Sequence, residues 1–162
     1  MNKAIEEMVI HLKGPAAWES LKRSAGVDVD TFVGMDQYDD TVTYKLVDAA
    51  SVRMKMSAED ILEAFGEYWI LYTAHKGYGE LMSAAGNGVF ETLANLDDMH
   101  ARVELLYPDM RIPVFTFRRS SDTEGVLHYS SQRAGLAPMV VGLVKGLGKR
   151  CGTPVCVDRL AR

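Results

Sequence analysis

The sequence predicts an α+β fold: a helical N-terminal subdomain followed by a C-terminal subdomain of helices and a small antiparallel sheet. Two observations predict it. Apolar residues recur at helical spacing from Ile5 to Tyr72, around His100 and again from Leu136 to Leu147. Between the last two stretches, Val114 to Phe117 and Val126 to Ser130 read as strands joined by the polar turn Ser120-Ser121-Asp122-Thr123-Glu124-Gly125.

Each element has its own signal. Ile5, Met8, Val9 and Leu12 mark one face of a first helix that Gly14-Pro15 ends, and Trp18, Leu21 and Ala25 mark a second beginning just after Pro15. The chain stays helical from there. Ser57 with Glu59 and Asp60 caps a longer helix in which Leu62, Phe65, Trp69 and Tyr72 share a face, and Gly77 stops it. Gly86 and Gly88 bracket a turn before a helix with Leu93, Leu96, His100 and Val103 on one stripe. Pro108 and Pro113 then punctuate the chain before the hairpin. A last amphipathic helix carries Leu136, Val140, Leu143 and Leu147 to Gly148, and Thr153 to Val157 reads as a further strand.

Composition narrows the class of protein. With 162 residues, 48% of them hydrophobic, residues 1–162 read as one domain, large enough to bury roughly 70% of its unfolded surface. The formal net charge is -4 and the basic residues are scattered, so no nucleic-acid surface is expected. No run approaches membrane-spanning length, and Met1 leads directly into Lys3, Glu6 and Glu7, so a cytoplasmic protein without a signal peptide is expected. Cys151 and Cys156 form neither a zinc set nor the Cys-x-x-Cys-His of covalent haem attachment. No Ser-His-Asp set, nucleophilic cysteine or phosphate-binding glycine loop emerges, so no catalytic residue is assigned and an enzyme is not expected.

The chemistry lies in two places. In an extended strand Tyr129, Ser131 and Arg133 project from one side with Leu127 behind them, and a phenol, a hydroxyl and a guanidinium in a row suit carboxylates. Taken alone, such a row is equally a solvated strand face. His100 lies on an apolar stripe and points inward, either as a core residue bonded to a carbonyl or as a metal ligand. Together, an inward imidazole and a carboxylate clamp describe a haem, with iron at one end and propionates at the other.

These residues also carry a family pattern. Tyr129-Ser130-Ser131-Gln132-Arg133 reads as Tyr-x-Ser-x-Arg, and Asn95 to Val103 resembles a proximal-histidine segment. Gly14-Pro15 with Trp18, Phe65-Gly66-Glu67-Tyr68-Trp69, Gly77-Tyr78, Tyr107-Pro108 with Pro113, and Gly135 to Met139 fit the same pattern in order. The chain thus resembles the haem nitric oxide/oxygen binding (H-NOX) family over nearly its whole length, close to cyanobacterial members and to the haem domain of the soluble guanylate cyclase beta subunit. Relative to the family pattern both ends look short, which implies either a trimmed chain or a more open distal wall and a sheet edge less covered near Cys156.

The resemblance implies roles. A non-covalent haem b lies between the subdomains, with iron on His100 and propionates on Tyr129, Ser131 and Arg133, beside the amino terminus of the last helix. Pro113 packs on the haem face and keeps it bent, or is an ordinary loop proline. Trp69, Met139 and Leu143 line the distal pocket. Oxygen-binding members place a tyrosine where this chain has Pro138 or Met139, so binding of nitric oxide and carbon monoxide without oxygen is implied. The Trp69 indole is either a donor to the ligand or core packing. Release of His100 would let its helix move against the Tyr129 sheet, signalling to a histidine kinase or a cyclic-nucleotide enzyme. The alternative is a haem-free regulatory module that binds a small apolar carboxylate through Arg133.

Overall fold

The computed structural model describes residues 1–34 and 36–160. Helices α1 (Asn2–Lys13) and α2 (Pro15–Ala25) meet at Gly14, whose φ of 86° is open to glycine, and Pro15 opens α2 where its missing N–H costs nothing. Ile5, Trp18 and Leu21 are buried as expected. Leu12 is not; it is 57% exposed, because the stripe of α1 turns into solvent at its last turn. Helix α3 (Asp40–Met54), capped by Asp39 accepting from the Thr41 N–H, buries Thr43, Leu46, Val47 and Ala50.

Helix α4 (Ala58–Tyr68) begins with the expected cap. The Ser57 hydroxyl accepts from the Asp60 N–H at 3.1 Å, and the Asp60 carboxylate accepts from the Ser57 N–H at 3.3 Å. Two otherwise orphaned donors are thereby satisfied. Replacing Ser57 with Ala is expected to cost about 1 kcal/mol. In a chain of this size that lowers Tm by about 2–4 °C, measurable by circular dichroism.

Beyond Tyr68 the helix changes register. Trp69–Thr73 form a π-helical turn and α5 (Ala74–Gly77) follows. One wider turn rotates the buried face, so Ile70 and Ala74 point inward while Tyr72, expected inward from the spacing, is 46% exposed. Gly86 and Gly88 lie between α6 (Gly79–Ala85) and α7 (Val89–Ala94). The His100 stripe then spans two helices: Leu93 belongs to α7, whereas Leu96, His100 and Val103 belong to α8 (Leu96–Leu106). Asn95 makes the break, its side-chain amide donating to the Ala85 carbonyl at 2.8 Å.

The hairpin pairs β1 (Val114–Arg119) with β2 (Gly125–Ser130), antiparallel, with Val114 opposite Ser130 and Phe115 opposite Tyr129. Continued by one step, that register would set Pro113 against Ser131. Proline has no N–H to give, so the ladder ends there. Two strands form the sheet among the described residues, and Thr153 to Val157 is not one of them. That segment instead packs Val155 beside Gly148 at the end of α9 (Ala137–Arg150), where side-chain contact replaces strand pairing.

Two apolar clusters fill the interior. One joins α1, α2, α3 and α4 with Phe32 and Leu136, and the other joins Ile70, Ala74, Met82, Val89, Leu93 and Leu147 with the inner face of the hairpin. Trp69 packs against both. Helix α9 runs past α4 at backbone contact: a Cβ on Gly142 would overlap the Glu63 carbonyl, and one on Gly66 would overlap that of Met139. Ion pairs Lys145–Glu63 and Lys149–Glu67 flank the crossing.

Candidate functional site

His100 is half-buried on α8, a helix none of whose residues is buried. Its Nδ1 lies 2.8 Å from the Leu96 carbonyl oxygen. A carbonyl only accepts, so in the neutral ring Nδ1 carries the proton and Nε2 keeps its lone pair. That is the tautomer of a metal ligand whose orientation is fixed by its other nitrogen. The ring rests on Phe115, 5.2 Å between centroids, and Phe115 in turn rests on Tyr129 at 5.3 Å. A line of rings therefore connects α8 to both strands.

Arg133 differs from the expected row. Because β2 ends at Ser130, Ser131 and Arg133 lie in a turn, where the Ser131 hydroxyl accepts from the Arg133 backbone N–H at 3.1 Å and keeps its own O–H to donate. The guanidinium reaches α3 instead, with Nη2 donating to the Thr43 hydroxyl at 3.2 Å. Its Nε lies 2.6 Å from Asp40 Oδ1, yet the N–H is not aimed at that oxygen and makes no hydrogen bond. Asp40 thus offsets the charge of Arg133 while its Nε–H is left without a hydrogen bond. Helix α9 starts four residues after Arg133, so its amino terminus does not share this position as expected.

Pro113 is half-buried just ahead of β1. Trp69 stacks on Tyr78 at 5.8 Å and 27°, while Met139 packs with the first cluster and Leu143 with the second. The three distal candidates therefore line the seam between the clusters. Burial, then the neighbouring Tyr107 and Glu7, hold the Tyr78 phenol above its ordinary pKa, so it stays neutral there. Of the other histidines, His75 and His128 are exposed, and His11 is bound to Tyr68. Asp40, Thr43 and Phe115 escaped the sequence reading, since no spacing rule links α3 or β1 to residues 131–133.

Two clefts open elsewhere, one of about 140 Å³ lined by Ala85, Asn95, Asp98 and Arg102, the other of about 530 Å³ between α4, α9 and Thr153. His100 and Arg133 line neither, so donor chemistry, not cavity shape, locates the site. That chemistry is one nitrogen lone pair for a metal and, for a carboxylate, a guanidinium with its Nε–H left without a hydrogen bond, which fits a haem.

A family model described as haem-NO-binding matches residues 1–159. The chain belongs to this family. Its members are haem-based gas sensors, sensing modules and not catalytic ones. Among relatives, the soluble guanylate cyclases gcy-32 and gcy-34 of Caenorhabditis elegans are 30% and 31% identical over 93% and 92% of this chain. The chain spans only 22% of the length of either. An H-NOX protein from S. oneidensis, solved in the Fe(II)NO ligation state, superposes with a TM-score of 0.81 at 21% identity, over 92% of this chain and 82% of that one. Unliganded Fe(II) H-NOX from K. algicida gives 0.75 at 18%, over 92% and 80%. At such identities the likeness is one of fold, and it agrees with the α+β architecture the H-NOX family has. No helix among the described residues is long and apolar enough to cross a membrane.

Proposed function

We propose that residues 1–162 form a single sensor domain that holds haem b non-covalently, binds nitric oxide and carbon monoxide, excludes oxygen and passes the signal to a partner protein. The observation that carries this reading is the 2.8 Å contact of His100 Nδ1 with the Leu96 carbonyl oxygen, which leaves Nε2 to bind. Arg133 Nε, the Ser131 O–H and the Tyr129 phenol take the propionates, and Pro113 packs beside them ahead of β1. When bound, haem supplies a ferrous iron able to take one diatomic ligand.

Ligand choice follows from what the distal residues lack. Pro138 and Met139 have no O–H to give, and the Trp69 ring stacks on Tyr78. Without a phenol at position 138 or 139, bound oxygen loses the donor that oxygen-binding members place there, whereas nitric oxide needs none. Helix α8, with no buried residue, is the part most easily displaced when His100 changes partners, and Phe115 passes that change to the hairpin. The names of the cyclase relatives support a cyclic-nucleotide enzyme as the receiver of the signal, and a histidine kinase is the other receiver of the same kind.

Absorption spectra of the reduced, haem-loaded protein test this. Nitric oxide should shift the Soret band at once while air gives no stable ferrous-oxygen spectrum; a stable ferrous-oxygen spectrum would overturn the oxygen exclusion, and a colourless protein would favour the carboxylate-binding module. Arg133→Met should weaken haem retention by one charge-assisted contact of roughly 1.5–3 kcal/mol. Transfer of haem to an apo-globin acceptor should then run roughly ten- to a hundredfold faster.

A further inference from the structure

We propose that Tyr68 is a site of one-electron oxidation, with His11 as its proton acceptor and Tyr72 as its contact with the surface. Nothing in this rests on haem, since none of the three residues belongs to the site described above.

Tyr68 is buried on α4, 8% exposed, and its Oη lies 2.9 Å from Nδ1 of His11 on α1. His11 itself is exposed. Tyr72, in the π-helical turn, stacks on Tyr68 at 4.7 Å and 23° and reaches solvent, while the His11 ring meets Tyr72 edge-on at 5.3 Å. The three rings therefore divide three tasks. Tyr72 is reached by an outer-sphere one-electron oxidant, Tyr68 holds the oxidised state away from water and other radicals, and His11 connects the phenol to bulk solvent.

The chemistry requires this division. A phenol that loses an electron becomes strongly acidic, and in a buried setting its proton has to leave at the same moment along an existing hydrogen bond. With the His11 proton on Nε2, Nδ1 accepts from the phenol. On oxidation the Tyr68 O–H bond breaks, the Nδ1–H bond forms, the oxidant gains one electron, and the products are a neutral phenoxyl and an imidazolium. Prior ionisation is not the route, because burial, then Glu7, then Tyr72 keep the Tyr68 phenol above its ordinary pKa. Facing Tyr68, the titratable groups are Glu7 and His11 of α1 and Tyr72 of its own helix; Glu7 then also favours the imidazolium that forms.

Flash photolysis of a ruthenium tris-bipyridine complex with a sacrificial electron acceptor, on the full chain with any haem held ferric, tests the proposal by electron paramagnetic resonance. A tyrosyl signal with a hydrogen-bond coupling lost in deuterium oxide is expected, and it should form more slowly there. His11→Gln should slow its formation roughly a hundredfold, the lower range for losing a positioned proton acceptor. Tyr72→Phe should keep the same signal with slower onset. A signal that vanishes in Tyr72→Phe, or forms equally fast in His11→Gln, overturns the assignment. Tyr68→Phe should abolish the signal, and persistence would overturn it equally; should that buried variant fail to fold, the His11, Tyr72 and isotope results decide alone.

Discussion

On the proposed reading, His100→Gly is expected to remove the imidazole that would hold the iron, and with it the reduced spectrum of a histidine-bound haem. The loss should exceed the roughly ten- to hundredfold drop in metal affinity that follows removal of a supporting outer partner, because here the ligand itself goes. No other imidazole can replace it. His75 and His128 are exposed, and His11 is bound to Tyr68 on the α1 side of the molecule. Since glycine leaves a gap the size of the ring beside Phe115, free imidazole in solution should enter it and restore the spectrum. The variant should also uncouple α8 from the hairpin, because the His100–Phe115 contact is lost. A spectrum unchanged by His100→Gly, or one that imidazole fails to restore in a folded variant, would place the iron elsewhere.

Residues that act through periodicity were legible in the sequence, and residues that act through a meeting of distant elements were not. The helices α1, α2, α4 and α9, the Ser57 cap and the hairpin all follow from spacing and turn chemistry, and the structure has each of them, though Leu12 at the end of the α1 stripe is exposed. The same spacing expected His100 to face inward; it is half-buried against Phe115, on a stripe that breaks at Asn95. Three features were hidden. A π-helical turn at Trp69 is a slip in hydrogen-bond register with no residue signature of its own, so the exposure of Tyr72 went unread. The end of β2 depends on Pro113 just ahead of the opposite strand, which strand periodicity in residues 125–133 cannot report. The partners of Arg133 sit on α3, some 90 positions away, and only the folded chain brings Asp40 and Thr43 to it.

Gly142→Val should be the most damaging single change to the fold. The crossing of α4 and α9 has no side chain between the helices at this point, so a Cβ would overlap the Glu63 carbonyl oxygen, and backbone cannot swing aside as a side-chain tip does. Overpacking costs about 1–3 kcal/mol where side chains can yield, and here the upper end is the starting point. A loss of about 3 kcal/mol lowers Tm by about 6–12 °C in a domain of this size. The neighbouring glycines grade the effect. Gly146→Ala, whose Cβ would stand 3.0 Å from the Glu67 carbonyl, should cost less, and Gly77→Ala, with open space around it, should be neutral or gain up to about 1 kcal/mol from helix propensity. If the three melt alike, close approach does not hold this crossing. If they follow that order, the consequence reaches the sensor, because the α9 segment pushed away from α4 carries Met139 and Leu143. A weaker crossing should therefore loosen the seam around Trp69 and disturb ligand binding before the protein unfolds.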